Sequence, residues 1–257
     1  MIQKYLIKLL CIGTGTINGH AGVELHGLFF KLLELADKDM ANYIHNMQQK
    51  PFSIGPLTGD IKRSNGEATV KEGQVYYFSF SSINYKLTPL IPEIFNLTKD
   101  KVLTIGKATF LFSQINYLLP NETSFFTILS NSQPKSKINF EFMSPTCFRS
   151  NNQWYLFPEP TMVFNSLYEK WNNFADAPLP AIDFLSIRVE KYNLKTTMSQ
   201  MGNHNIIGFM GRCSYSFTPE TLEQTKWVVN ALSYFSSIIG VGYKSTMGMG
   251  QVKFNLK

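Results

Sequence analysis

The apolar residues of this chain change period in the same order twice, and that recurrence restricts the fold more than any single motif. Residues 3–12 (QKYLIKLLCI) read as a strand, and a Gly- and Thr-rich loop over 13–20 follows. An amphipathic helix is expected over 22–36, where Leu25, Leu28, Phe29, Leu32 and Leu33 recur at helical spacing. Asp37-Lys38-Asp39 breaks it, with Asp39 placed to cap a short helix, MANYIHN. Strand candidates over 52–62 and 74–83, a helix near 89–97 and a strand pair within 102–117 complete this half. The second half opens with the strand KINFEFMSPTCF and a hairpin at Asn151–Asn152. A helix after Pro160 carries Val163, Leu167 and Trp171 on one face. Two long strands, 183–198 and 205–217, are joined by the polar turn Met201–Asn205. Thr218 and Pro219 then fit the N-cap and first position of a helix that stops at glycine before the last strand, QVKFNL. Each half is β-α-β-β-α-β, so the expected class is α+β with two tandem ferredoxin-like (RRM-like) domains. They are expected over 1–130 and 136–257, and the stretch 119–137 reads as the linker. Such a fold selects no function by itself.

Composition agrees with a sheet-rich globular chain. With 44% hydrophobic, 14% aromatic and only 16% charged residues, disorder, collagen and coiled coil are excluded as the main state. The formal charge of +6 fits a polyanionic partner, and the basic residues divide evenly, twelve before residue 129 and twelve after. Any basic surface must therefore be assembled by folding. Cys11, Cys147 and Cys213 form no CxxC pair, which argues against a disulfide framework or zinc ribbon and for buried thiols in a reducing compartment. The short N-terminal run Tyr5–Cys11, interrupted by Lys8, is a poor signal peptide. Trp227–Tyr243 falls short of the roughly 20 apolar residues of a membrane span. A soluble, cytoplasmic protein with no membrane partner is expected.

The most informative segment is Gly240-Val-Gly242-Tyr-Lys-Ser-Thr-Met-Gly248-Met-Gly250, between a helix and the terminal strand. Glycines allow positive φ and close backbone approach. With Lys244, Ser245 and Thr246 between them, N–H groups, a cation and two hydroxyls could converge on phosphates. The alternative is a loop needed only for tight packing. Its spacing is not that of a Walker A loop, and its helix-to-strand order is the reverse of a Rossmann fingerprint.

This loop resembles the signature of the CRISPR-associated repeat-RNA endoribonucleases, the Cas-six family of the repeat-associated mysterious protein superfamily. The pattern Gly-x-Gly, a five-residue polar or basic insert and Gly-hydrophobic-Gly matches at all four glycines. Two further blocks resemble the family in the same order. HAGVELHGLFFKLLELADKDMANYIHNMQQKPFSIGPLTG (20–59) is similar to its first helix, acidic break, short helix ending in His, and Lys-Pro-Phe strand entry. FMSPTCFRSNNQWYLFPEPTMVFNSLYEKWNNFA (142–175) is similar to the segment that opens its second half. The resemblance implies two tandem ferredoxin-like domains and metal-independent cleavage inside repeat transcripts. It implies precursor CRISPR RNA as partner, with other effector-complex proteins as further partners and no cofactor; monomer and homodimer both stay open.

The chemistry such cleavage needs can be read against the residues present. RNA supplies its own nucleophile, the 2′-OH, so a base, an acid for the 5′-oxygen and a cation suffice. Histidine suits the proton transfers near neutral pH. Of His20, His26, His45 and His204, the first three lie within the first block, while His204 falls in a polar turn and reads as a surface residue. No metal ligand set such as HxxxH or HExxH occurs. The family places a catalytic histidine at the matching end of the short helix with a lysine a few residues on, so the resemblance carries these roles to His45 and Lys50. It also departs here: where some members have tyrosine on the first helix, this chain has Phe30, which exchanges no proton. At about 100° per residue His26 lies one turn before Phe30 on the same flank, off the apolar stripe. His26 or the loop residue His20 could supply the missing group, or His26 merely packs beside the core. For RNA binding the candidates are the loop (Gly240, Gly242, Lys244, Ser245, Thr246, Gly248, Gly250), with Arg149, Arg188, Lys191 and Lys195. The last three, with Tyr192, fall on an expected strand edge that suits either RNA stacking or simple solvation. Phe30 also keeps open a non-cleaving subunit that holds guide RNA.

Overall fold

The computed structural model describes residues 1–64, 67–202 and 204–255 and forms two compact units. The first holds Met1–Asn121 together with Ser199–Ile206 and Thr246–Gly248. The second holds Glu122–Met198, Ile207–Ser245 and the chain from Met249 on. Leu256, the end of the expected last strand, and Asn203, within the expected turn, lie outside the described residues.

In the first unit the elements run β1 (Gln3–Gly13), β2 (Gly15–Asn18), α1 (Gly22–Ala36), α2 (Lys38–Asn46), β3 (Phe52–Ile54), β4 (Lys62–Ser64), β5 (Glu67–Val70), β6 (Val75–Ser82), α3 (Leu87–Asn96), β7 (Val102–Ile105) and β8 (Ala108–Tyr117). The main antiparallel sheet has the order β3-β6-β1-β8-β7. β1 alternates strictly: Tyr5, Ile7, Leu9 and Cys11 face the core, opposite Phe80, Phe78 and Tyr76 of β6 for the first three. α1 lays Leu25, Phe29, Leu32 and Leu33 onto this sheet, as its 3.6-residue period requires. The anchor of that packing is aromatic. Phe52 of β3 stacks on Phe80 at 5.5 Å and 9°, and Phe29 meets both rings at 4.9 and 4.6 Å.

The second unit runs α4 (Phe125–Ser130), β9 (Lys137–Thr146), β10 (Phe148–Ser150), β11 (Gln153–Tyr155), α5 (Pro160–Phe174), β12 (Ile187–Met201), β13 (His204–Phe217), α6 (Glu223–Ile239) and β14 (Val252–Asn255). Its sheet has the order β12-β13-β9-β14, which leaves β12 at the edge. Counting only the strands of the β-α-β-β-α-β plan, both sheets place the fourth beside the first, then the third, then the second: β8-β1-β6-β3 and β14-β9-β13-β12. The α+β class with tandem ferredoxin-like folds is therefore observed, with β7 added outside β8.

Several local expectations are corrected. Part of the 13–20 loop is strand β2, which pairs with β5 and, through it, β4 in a separate small sheet and buries Ile17. The cap of α2 is Asp37, not Asp39: its extended backbone lets the carboxylate accept from Met40 N at 2.8 Å, while Asp39 sits inside the first turn. The linker contains a real helix, α4, closed by a Ser124–Thr127 capping box, with Phe125 against Trp171 at 4.9 Å. α6 begins at Glu223, because Thr218 closes a turn on Thr221 (Thr221 N to Thr218 O, 3.1 Å) and Leu222 is extended.

Replacing Phe52 with alanine should cost about 3–5 kcal/mol of unfolding free energy, the range for a buried aromatic. Leu35→Ala, at a site 78% exposed on α1, should change it by no more than about 0.5 kcal/mol. Urea unfolding of the two variants checks this; equal losses would contradict the packing described.

Candidate functional site

The packing of α1 decides where its polar flank goes. His26 and Phe30, one turn apart and half-buried, touch each other with ring centroids 5.0 Å apart. His26 also stacks at 26° over the buried Phe52, 5.9 Å away. On its other side Phe30 meets the ring of His45 edge-on, at 5.5 Å and 88°. One phenyl ring thus contacts two imidazoles from two helices. Nδ1 of His26 lies 3.1 Å from the carbonyl oxygen of Thr246. A carbonyl only accepts, so Nδ1 is the nitrogen that carries the hydrogen toward Thr246.

His45 is exposed on the last turn of α2. The Lys50 ammonium donates to the carbonyls of His45, at 2.7 Å, and Met47. It ties off the end of α2 and fixes the backbone from which the imidazole projects, and burial lowers its pKa. His20, half-buried in the turn before α1, accepts at its carbonyl from Leu57 N, 3.0 Å away. His204 is exposed at the start of β13, as its polar surroundings lead one to expect.

In the glycine loop, Gly240, Gly242, Gly248 and Gly250 all have positive φ, and so does Lys244. Packing alone demands glycine at position 250, where a Cβ would lie 2.0 Å from the Val241 carbonyl oxygen. The loop also spends many of its N–H groups on protein carbonyls. Val241 N binds Gly250 O at 2.8 Å, Tyr243 N binds Cys147 O at 2.9 Å, Gly248 N binds Ile54 O at 3.1 Å, and Gly250 N binds Pro145 O at 3.0 Å. Of the side chains, Lys244 is half-buried with its ammonium 5.4 Å from the Tyr243 ring centre. Thr246 is half-buried and offers its carbonyl to His26. Ser245 is only 5% exposed and points inward, where Lys170 of α5 reaches its hydroxyl at 3.4 Å. No local sequence pattern marks Lys170, since its partner lies 75 residues on. Burial lowers its ammonium to about 8 from an ordinary 10.5. The other basic candidates sit where expected: Arg149 exposed on β10, and Arg188, Lys191 and Lys195 exposed on the edge strand β12 beside Tyr192.

Tandem ferredoxin-like units, a histidine pair around one aromatic ring and a glycine loop before the last strand are the features against which known proteins can be compared. Residues 140–252 match the family model described as CRISPR-associated endoribonuclease Cas6. A protein from Mycobacterium tuberculosis with that description is 27% identical over 238 residues, 90% of this chain and 71% of the relative. One from Streptococcus thermophilus is 26% identical over 90% of both chains. Among solved structures, a Thermus thermophilus Cas6 in a product complex superposes with a TM-score of 0.83 at 20% identity, covering 99% of this chain and 100% of that one. A Cas6-related protein of Pyrococcus furiosus gives 0.72 at 16% identity over the whole of both chains. Among the described residues no helix is long and apolar enough to cross a membrane.

Because the Lys170 pKa falls on folding, the unfolded chain holds a proton between pH 8 and 10.5 that the folded chain has released. The cost of its charge is fully present below pH 8 and fades as pH rises through that window. Lys170→Met should therefore be more stable than wild type at pH 7, with the gap closing by about pH 10.5. Urea unfolding across this range checks it; a pH-independent difference would contradict the buried charge.

Proposed function

We propose that this chain is a metal-independent endoribonuclease that binds precursor CRISPR RNA and cuts it within the repeats. The observation that carries the reading is the joint contact of His26 and His45 with Phe30, together with the tautomer that the Thr246 carbonyl imposes on His26. One imidazole removes the proton of the 2′-OH, whose oxygen attacks the adjacent phosphorus. The P–O5′ bond breaks, and the second imidazole, protonated at the start, delivers a proton to the leaving O5′. The products are a 2′,3′-cyclic phosphate and a 5′-hydroxyl, and no oxidant, metal or cofactor enters the balance. In this reading Phe30 spaces the two bases where another side chain would exchange a proton. Lys50 acts as a positioning residue for His45, and His20 stands by in the turn before α1. Lys244, Arg149 and the β12 cations Arg188, Lys191 and Lys195 take phosphates. The names of the relatives support RNA cleavage as the activity, and the +6 charge suits the polyanion.

The test uses repeat RNA from the protein's own genomic neighbourhood, in EDTA, under single-turnover conditions with end-group analysis. Wild type should cut to a cyclic phosphate, and His45→Ala and His26→Ala should each be slower by about 100-fold or more. Tight binding without cutting would instead make the chain a guide-RNA-holding subunit. Cutting that requires an added divalent ion would overturn the mechanism.

A further inference from the structure

The second unit holds a cavity of about 290 Å³ bounded by the β10–β11 hairpin, α5 and the start of the glycine loop. Its volume lies just below the roughly 300–1,000 Å³ typical of small-molecule pockets, which suits one base and not two. The walls are chemically uneven. Tyr243 presents an aromatic wall that is braced edge-on by Trp154 at 5.3 Å, a side chain 47% exposed. The Arg149 guanidinium lies over Trp154 at 5.4 Å and the Lys244 ammonium over Tyr243 at 5.4 Å. The hairpin that carries Arg149 and Trp154 opposite each other turns through Asn151 and Asn152, both at positive φ, a tight two-residue turn that holds the pair in register. Cations beside aromatic rings are what single-stranded RNA uses, the rings for base stacking and the charges for flanking phosphates.

The α5 wall carries the opposite sign. Glu169 lines the cavity, and Asn165, one turn earlier, donates to its Oε1 at 3.0 Å and so orients the carboxylate. A wall meant for phosphate would not contain a carboxylate. A carboxylate offers only acceptors, side by side, and the ligand that answers it must present adjacent N–H donors. Among the four RNA bases only guanine does so on its Watson–Crick edge, through N1–H and the N2 amine.

We propose that this cavity captures the guanine base of one unpaired nucleotide of the bound RNA. The base stacks at Tyr243, Glu169 accepts from N1–H and N2–H, and Arg149 and Lys244 hold the adjoining phosphates. Glu169 and Asn165 are then specificity-determining residues that lie outside the candidate catalytic pair. The inference rests on the RNA-processing reading above.

The experiment measures equilibrium affinity of the full chain for its genomic repeat RNA, and for a series in which each guanosine in turn is replaced by inosine, which lacks only the N2 amine. Wild type should lose about tenfold at one position, the scale of a specific base-edge contact. Glu169→Gln should bind the unmodified RNA more weakly by a similar factor and no longer distinguish guanosine from inosine at that position. Sensitivity at no position, or an inosine penalty that survives in Glu169→Gln, overturns the pocket assignment while leaving cleavage intact. If wild type neither binds nor cuts the repeat RNA, the endoribonuclease reading falls and this inference falls with it.

Discussion

The first unit depends on the ring of Phe52. It is fully buried, stacked on Phe80 from the neighbouring strand, and in contact with Phe29 of α1. Those contacts seat the helix on the sheet, and the same ring lies under His26 and beside Phe30. Core packing and site geometry are therefore one set of contacts. A half-buried histidine gains little from apolar neighbours unless its polar atoms are satisfied. Here the Thr246 carbonyl meets Nδ1, so the ring has both its plane and its proton specified.

Phe30 sits in that frame with no ionisable group of its own. The ring is held by Phe29, Phe52, His26 and His45, so it keeps its place without any hydroxyl. The ring separates the imidazoles of His26 and His45 that flank it. Lys50 contributes in the same indirect way, by bonding the carbonyls at the end of α2. Precision comes from neighbours that do not themselves exchange protons.

Much of the architecture is legible in the chain because period alone reports it. β1, α1 and α5 show their 2- and 3.6-residue patterns openly, and the repeated order of elements yields the same strand order in both sheets. What escaped was set by distant partners. β2 reads as a loop because its pairing with β5 spans some fifty residues of sequence, and α4 hides in a polar stretch whose Phe125 is recruited by Trp171 and Phe235. At the site, His45, His26 and Phe30 can be picked out from helix spacing and resemblance. The Thr246 carbonyl that sets the tautomer is 220 residues away, and the Lys170–Ser245 contact joins segments no local pattern connects. The glycines admit both phosphate approach and tight packing from sequence, and at Gly250 packing makes its own demand, because the backbone leaves no room for a Cβ.

The central claim is that two imidazoles flanking Phe30 share the proton transfers of one strand scission. Its most direct measurement is the pH dependence of the single-turnover cleavage rate on repeat RNA, for wild type and for each single alanine variant at positions 26 and 45. Wild type should give a bell, with a different limb abolished in each variant, because the scission uses one base and one acid. A bell that keeps both limbs in His26→Ala would contradict it.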